Sequence, residues 1–112
     1  MESTAKMGNK NFEKVVIGNK YFGNTLIGPN RCENLHQISM EYFDRREDSE
    51  KGLHVYAQLG KQLLVDDKMT GNPSQRREGI KIRFSCECCN GEIHTLNIVQ
   101  HKGMTLMFWS AK

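Results

Sequence analysis

Three runs in the last third of the chain alternate between two faces with period two, a spacing that strands satisfy and helices do not. Ile80, Ile82, Phe84 and Cys86 alternate with Lys81, Arg83 and Ser85. His94, Leu96, Ile98 and Gln100 alternate with Thr95, Asn97 and Val99, and Met104, Leu106, Phe108 and Ser110 alternate with Thr105, Met107 and Trp109. Asn90-Gly91 and His101-Lys102-Gly103 separate the runs with residues suited to tight turns. Residues 80–112 therefore read as a three-stranded antiparallel β-meander with a cysteine-rich turn.

Burial selects among registers, because a one-residue slip turns a whole strand over. A two-residue Asn90-Gly91 turn would set Phe84 opposite Asn97. A longer loop sets Ile82 opposite Ile98 and Phe84 opposite Leu96, which buries more apolar surface. A three-residue loop at 101–103 then adds Leu106 and Phe108 to the same rows. This register makes Cys86 and His94 cross-strand neighbours about 5 Å apart at Cβ, with Cys89 curling over them from the turn.

Upstream the patterning is weaker. Met7, Phe12, Ile17, Phe22, Ile27 and Cys32 recur every five residues, punctuated by Gly-Asn and Gly-Pro-Asn. Fewer than three coils do not bury a solenoid core, so residues 1–34 read as a β segment with Gly/Asn turns. At 35–43, His36, Ile38, Met40 and Tyr42 alternate with Gln37, Ser39 and Glu41 as in a half-buried strand. Residues 53–65 fit either two strands hinged at Gly60 or one helix, and Gly60 costs the helix about 1 kcal/mol relative to Ala. Residues 67–79, with Gly71-Asn-Pro73, read as a flexible loop. The fold expected is mainly β, a single domain over 1–112 built as an antiparallel sandwich or partly open barrel. An α+β fold with one helix near 53–65 is the alternative.

The chain has 112 residues, 38% of them hydrophobic, and a net charge of +3, which fits one globular domain. No apolar run approaches the length that spans a bilayer, and the polar N-terminus does not read as a secretory signal. A cytoplasmic protein is expected, with its four cysteines reduced or bound to metal.

Cys86-Glu-Cys88-Cys89-Asn90-Gly91 followed by His94 carries the chemistry. Cys86-x2-Cys89 resembles the spacing of a zinc knuckle, and zinc selects thiolate and imidazole donors in a tetrahedron. Cys86, Cys89 and His94 are the expected ligands; Cys32, His36, Cys88 or His101 could supply the fourth. A redox or nucleophilic role for these thiols is disfavoured by Glu87 and Glu92 beside them, and no phosphate-binding loop is present. Asp66-Asp67 with Glu41 or Asp44 read as strand ends and solvated loop, not as a carboxylate metal site.

The second face of the meander is expected to carry binding residues: Lys81, Arg83, Asn97, Lys102, Met107 and Trp109. Its mild charge ranks a protein partner above nucleic acid, although Trp109 could stack bases while Lys81 and Arg83 hold phosphates. The function expected is a non-enzymatic, zinc-stabilised binding module acting as a regulator or inhibitor. The nucleic-acid module is second, and a thiol redox protein third.

Overall fold

A computed structural model describes residues 13–18, 23–45, 51–74 and 77–111. Among the described residues two antiparallel sheets form. The strands are β1 (Glu13–Lys14), β2 (Val16–Gly18), β3 (Thr25–Ile27), β4 (Leu35–Arg45), β5 (Gly52–Gln58), β6 (Leu64–Asp66), β7 (Gly79–Cys86), β8 (Glu92–His101) and β9 (Met104–Ala111). Seven of them make one open sheet in the order β1-β9-β8-β7-β4-β5-β6, and β2 pairs with β3 in a small second sheet. The mainly β expectation holds, with no closed barrel. Residues 53–65 adopt the strand pair: Gly60 sits at φ +74 in the turn between β5 and β6, a conformation that suits glycine and breaks a helix.

β7, β8 and β9 form the expected meander, but the two registers differ from those that maximal apolar pairing favours. Ile82 pairs with Leu96 and Phe84 with His94, a two-residue shift. The cause is the loop: Glu87–Cys89 wind one 3-10 turn, and Asn90 (φ 58) and Gly91 (φ 78) complete a five-residue connection. An even shift leaves the faces unchanged and changes only the partners.

The β8–β9 connection shifts by one. His101 pairs with Met104 across a two-residue turn in which Lys102 (φ 51) and Gly103 (φ 79) both take positive φ, the backbone of a type I′ hairpin. This odd shift sets Trp109, rather than Phe108, opposite Leu96. Trp109 is 1% exposed, and its ring meets Phe84 edge-on at 5.7 Å between centroids.

Phe84, Leu96 and Trp109 are the core, and Val15, Leu26, Leu35, Ile82 and Ile98 pack against them. Leu26 comes from β3, so the small sheet covers this face of the large one. The described part of the N-terminal segment is thus an antiparallel hairpin, not a solenoid coil. Met7, Phe12 and Phe22 of the five-residue repeat lie outside the described residues.

β4 departs from simple alternation. Its pairing with β7 shifts between Gln37 and Ser39, where Ile38 is the extra residue of a bulge. His36 therefore shares a face with Ser39 and Glu41, not with Met40 and Tyr42 as the sequence pattern suggests. In the loop after β6, Ser74 is 3% exposed and its hydroxyl accepts a hydrogen bond from the Gln100 backbone N–H at 3.1 Å. Asn72 closes the loop on itself, accepting from the Ser74 N–H and donating to the Arg77 carbonyl.

Candidate functional site

β4 and β7 begin and end side by side: Leu35 pairs with Cys86, and the Glu87 N–H extends the ladder to the Asn34 carbonyl at 3.0 Å. Just upstream, Pro29–Arg31 form a 3-10 turn closed by hydrogen bonds between Gly28 and Cys32 and between Cys32 and Pro29. This turn aims Cys32 at the end of β7. On the other side, the 3-10 turn after Cys86 folds Cys88 and Cys89 back over it, secured by the Gly91 N–H donating to the Cys86 carbonyl at 2.9 Å.

The Sγ atoms of Cys32, Cys86, Cys88 and Cys89 consequently all lie within 4.8 Å of one another. Cys32 and Cys86 are joined as a disulfide and fully buried; Cys88 and Cys89 are free thiols, and Cys88 Sγ lies 3.4 Å from Cys86 Sγ. The expectation that all four cysteines are thiols or ligands is corrected for this pair, because the chain brings Cys32 directly against Cys86. Four thiolates around zinc at about 2.3 Å stand roughly 3.8 Å apart, so the cluster has the dimensions of a tetrathiolate centre. Partial burial pushes the Cys89 thiol above its ordinary value, and the neighbouring Cys88 and Glu92 add to this.

The expected ligand set is divided. Cys86 and Cys89 fall in the four-sulfur cluster. His94 pairs with Phe84 rather than Cys86, and joins Cys89 and Glu92 in a second group whose donor atoms also lie within 4.8 Å of one another. His36 is exposed and faces the Glu87 carboxylate at 3.5 Å; His101 closes the far end of β8. Neither reaches the cysteines. Cys32 and Cys88, two of the candidates for a fourth ligand, both do.

The expected binding face is also rearranged. Lys81 and Arg83 share their face with Asn97, but the β8–β9 register turns Trp109 and Met107 to the opposite one. No Trp109 platform stands beside these cations. Asn97 is buried, donating to the Ser110 hydroxyl at 2.9 Å and the Phe108 carbonyl at 3.3 Å, which is a structural role. Lys102 is exposed in the hairpin turn, and Met107 is 48% exposed.

One constellation escaped the sequence reading. His54 Nε2 lies 2.8 Å from Glu41 Oε2 and Nδ1 lies 2.9 Å from Asp66 Oδ1, while Arg83 Nη1 donates to Glu41 Oε1 at 2.7 Å. The two ring nitrogens thus face one carboxylate each, and the ring stacks on the buried Phe43 ring at 4.6 Å. Glu41 and Asp66 do converge, as a carboxylate pair, but on an imidazole. The signal was the cross-strand pair His54–Asp66 and the diagonal neighbours Glu41 and Arg83, which require the register to be known.

Burial alone would raise the Glu41 carboxyl, but the hydrogen bonds from Arg83 and His54 outweigh it and hold the group below its ordinary value of 4.5. A depressed carboxylate stabilises the fold above its unfolded pKa and loses that contribution as pH falls through the folded one. Glu41→Gln is therefore expected to cost about 2 kcal/mol at pH 7, since a part-buried charged acceptor with two donors is lost. The variant should also show a shallower loss of stability below pH 4.5. Urea unfolding at pH 3 to 7 checks this; equal midpoints for the two proteins at pH 7 would refute it.

No protein-family model matches the chain, and no curated protein or solved structure matches it. Among the described residues no helix is long and apolar enough to cross a membrane.

Proposed function

We propose that the protein is a non-enzymatic binding module whose reduced form is stapled by zinc on Cys32, Cys86, Cys88 and Cys89, and which engages a protein partner as a regulator or inhibitor. The observation that carries the metal half is the convergence of four sulfurs from two distant segments to within 4.8 Å. Sulfur-only donor sets select zinc among the common divalent ions when arranged tetrahedrally. Such a centre would tie the segment before β4 to the β7–β8 turn.

Support for a partner comes from the same face of the sheet, beside the covered core and towards β5. The small hairpin covers Phe84, Leu96 and Trp109 but leaves an apolar groove of about 340 Å³ lined by Ile38, Met40, Ala57, Leu59 and Ile82. Leu59 is 78% exposed, and Leu63, just before the edge strand β6, and Leu64 and Val65 within it are each more than half exposed. An edge strand offers unpaired backbone groups, and apolar side chains beside it suit an extended segment of another protein added as a further strand.

Two measurements test the reading. Protein purified under reducing, chelator-free conditions should hold one zinc per chain, lost when any of the four cysteines becomes serine; no zinc in the wild type sinks the metal half. Peptides selected from a random library should alternate apolar residues and lose binding to Leu59→Lys and Val65→Lys, variants that change stability by no more than about 0.5 kcal/mol because both sites are exposed. Peptides that bind both variants as tightly as the wild type would place the interface elsewhere.

A further inference from the structure

Cys89 belongs to two donor groups, and the second is independent of the disulfide. Glu92 and His94 are two residues apart on β8 and so project from the same face of the strand, while the 3-10 turn carries Cys89 back over them. The Cys89 sulfur, a Glu92 carboxylate oxygen and a His94 ring nitrogen lie within 4.8 Å of one another.

His94 supplies the second observation. Its side chain is 7% exposed, and Nε2 is buried with no hydrogen-bond partner among the described residues. The nearest charged atom, Glu92 Oε1, stands 3.8 Å away, beyond hydrogen-bonding distance. Buried polar nitrogens are almost always satisfied, and an imidazole nitrogen facing a carboxylate and a thiol is satisfied by a cation bound between them. Zinc takes imidazole nitrogen, carboxylate oxygen and thiolate sulfur at roughly 2.0–2.3 Å. Donors at those lengths stand between 3 and 4 Å apart, so small side-chain rotations close the group.

We propose that Cys89, Glu92 and His94 form a second divalent-metal site, with a fourth position left to water, that operates while Cys32 and Cys86 are joined. A disulfide sulfur is not a thiolate donor, so the tetrathiolate set exists only in the reduced protein. The second site needs none of the bonded sulfurs. The proposal shares Cys89 with the zinc-staple reading above but does not depend on it, and the two predict opposite dependences on His94.

Cobalt(II) titration followed by absorbance separates them. Protein whose Cys32–Cys86 disulfide is verified by mass spectrometry should bind one Co²⁺ with tetrahedral d–d bands and charge transfer from a single thiolate. Binding should be lost in Cys89→Ser and His94→Ala, weakened at least tenfold in Glu92→Gln, and retained in Cys88→Ser. Glu92 is exposed, so Glu92→Gln tests the site even if the buried His94→Ala fails to fold. The proposal is overturned if the disulfide form binds no stoichiometric Co²⁺, or if Glu92→Gln binds it as tightly as the wild type. In the reduced protein, four-thiolate charge transfer that survives Glu92→Gln supports the staple. Its absence there, with binding intact in the disulfide form, removes the staple and leaves the second site standing.

Discussion

Cys86→Ser is expected to lose much more stability than Cys88→Ser or Cys89→Ser, in both redox states. Cys86 is fully buried and bonded to a cysteine 54 residues away in sequence. A closed loop of that length corresponds to about 4 kcal/mol of unfolded-state entropy in the chain-entropy description. Domains of this kind have only about 5 to 15 kcal/mol in total, so the oxidised variant loses a large part of its margin. In the reduced state the same substitution removes a ligand from the four-sulfur cluster, and the folding free energy supplied by metal is lost with it.

Cys88→Ser is the informative control. Its thiol is exposed and outside the disulfide, so the oxidised variant should match the wild type while the reduced one loses the four-sulfur centre. Guanidinium unfolding with and without reductant, and with and without a chelator, reads all four states. A Cys86→Ser protein with wild-type midpoints throughout would mean that neither the bond nor the cluster contributes to the fold.

Trp109→Ala is the second large effect. Truncating a buried aromatic typically costs about 3 to 5 kcal/mol, and at 1% exposure with Phe84 against its ring, Trp109 belongs at the upper end. Trp109→Phe should be far milder. The indole N–H is buried without an acceptor among the described residues, so phenylalanine sacrifices apolar area but also removes an unsatisfied donor worth about 1 to 3 kcal/mol.

The pair of variants also bears on nucleic-acid binding. A stacking platform would leave stability intact on removal and would be quenched by iodide. A core residue destabilises on removal and is shielded from the quencher. Far-UV circular dichroism during denaturation supplies the first measurement, and fluorescence of the single tryptophan the second. Wild-type stability in Trp109→Ala would contradict the packing described above.

Much of this protein was legible in its residues. Alternation located β7, β8 and β9, and glycines at 60, 91 and 103 marked three of the turns. Cys86, Cys88, Cys89 and Cys32 were all named as ligand candidates and all converge. His36 and His101 were named and do not, because ligand-like spacing along a strand says nothing about which end of the sheet a residue reaches. The Glu41–His54–Asp66–Arg83 network lies on four different strands, and no local pattern announces such a cluster.

Period-two alternation is a property of adjacent residues, so the sequence alone determined that β7, β8 and β9 are strands and, within each of these three, which side chains share a face. Register belongs to pairs of strands, and it was decided by turn backbones and one bulge that the pattern does not encode. The five-residue turn after Cys86 shifted β8 by two, which kept every face but exchanged the partner of His94. The two-residue turn at Lys102–Gly103 shifted β9 by one, which reversed its faces and put Trp109 in the core. Even and odd slips differ in this way because the pleat repeats every two residues, and only the folded turns fix which slip occurs.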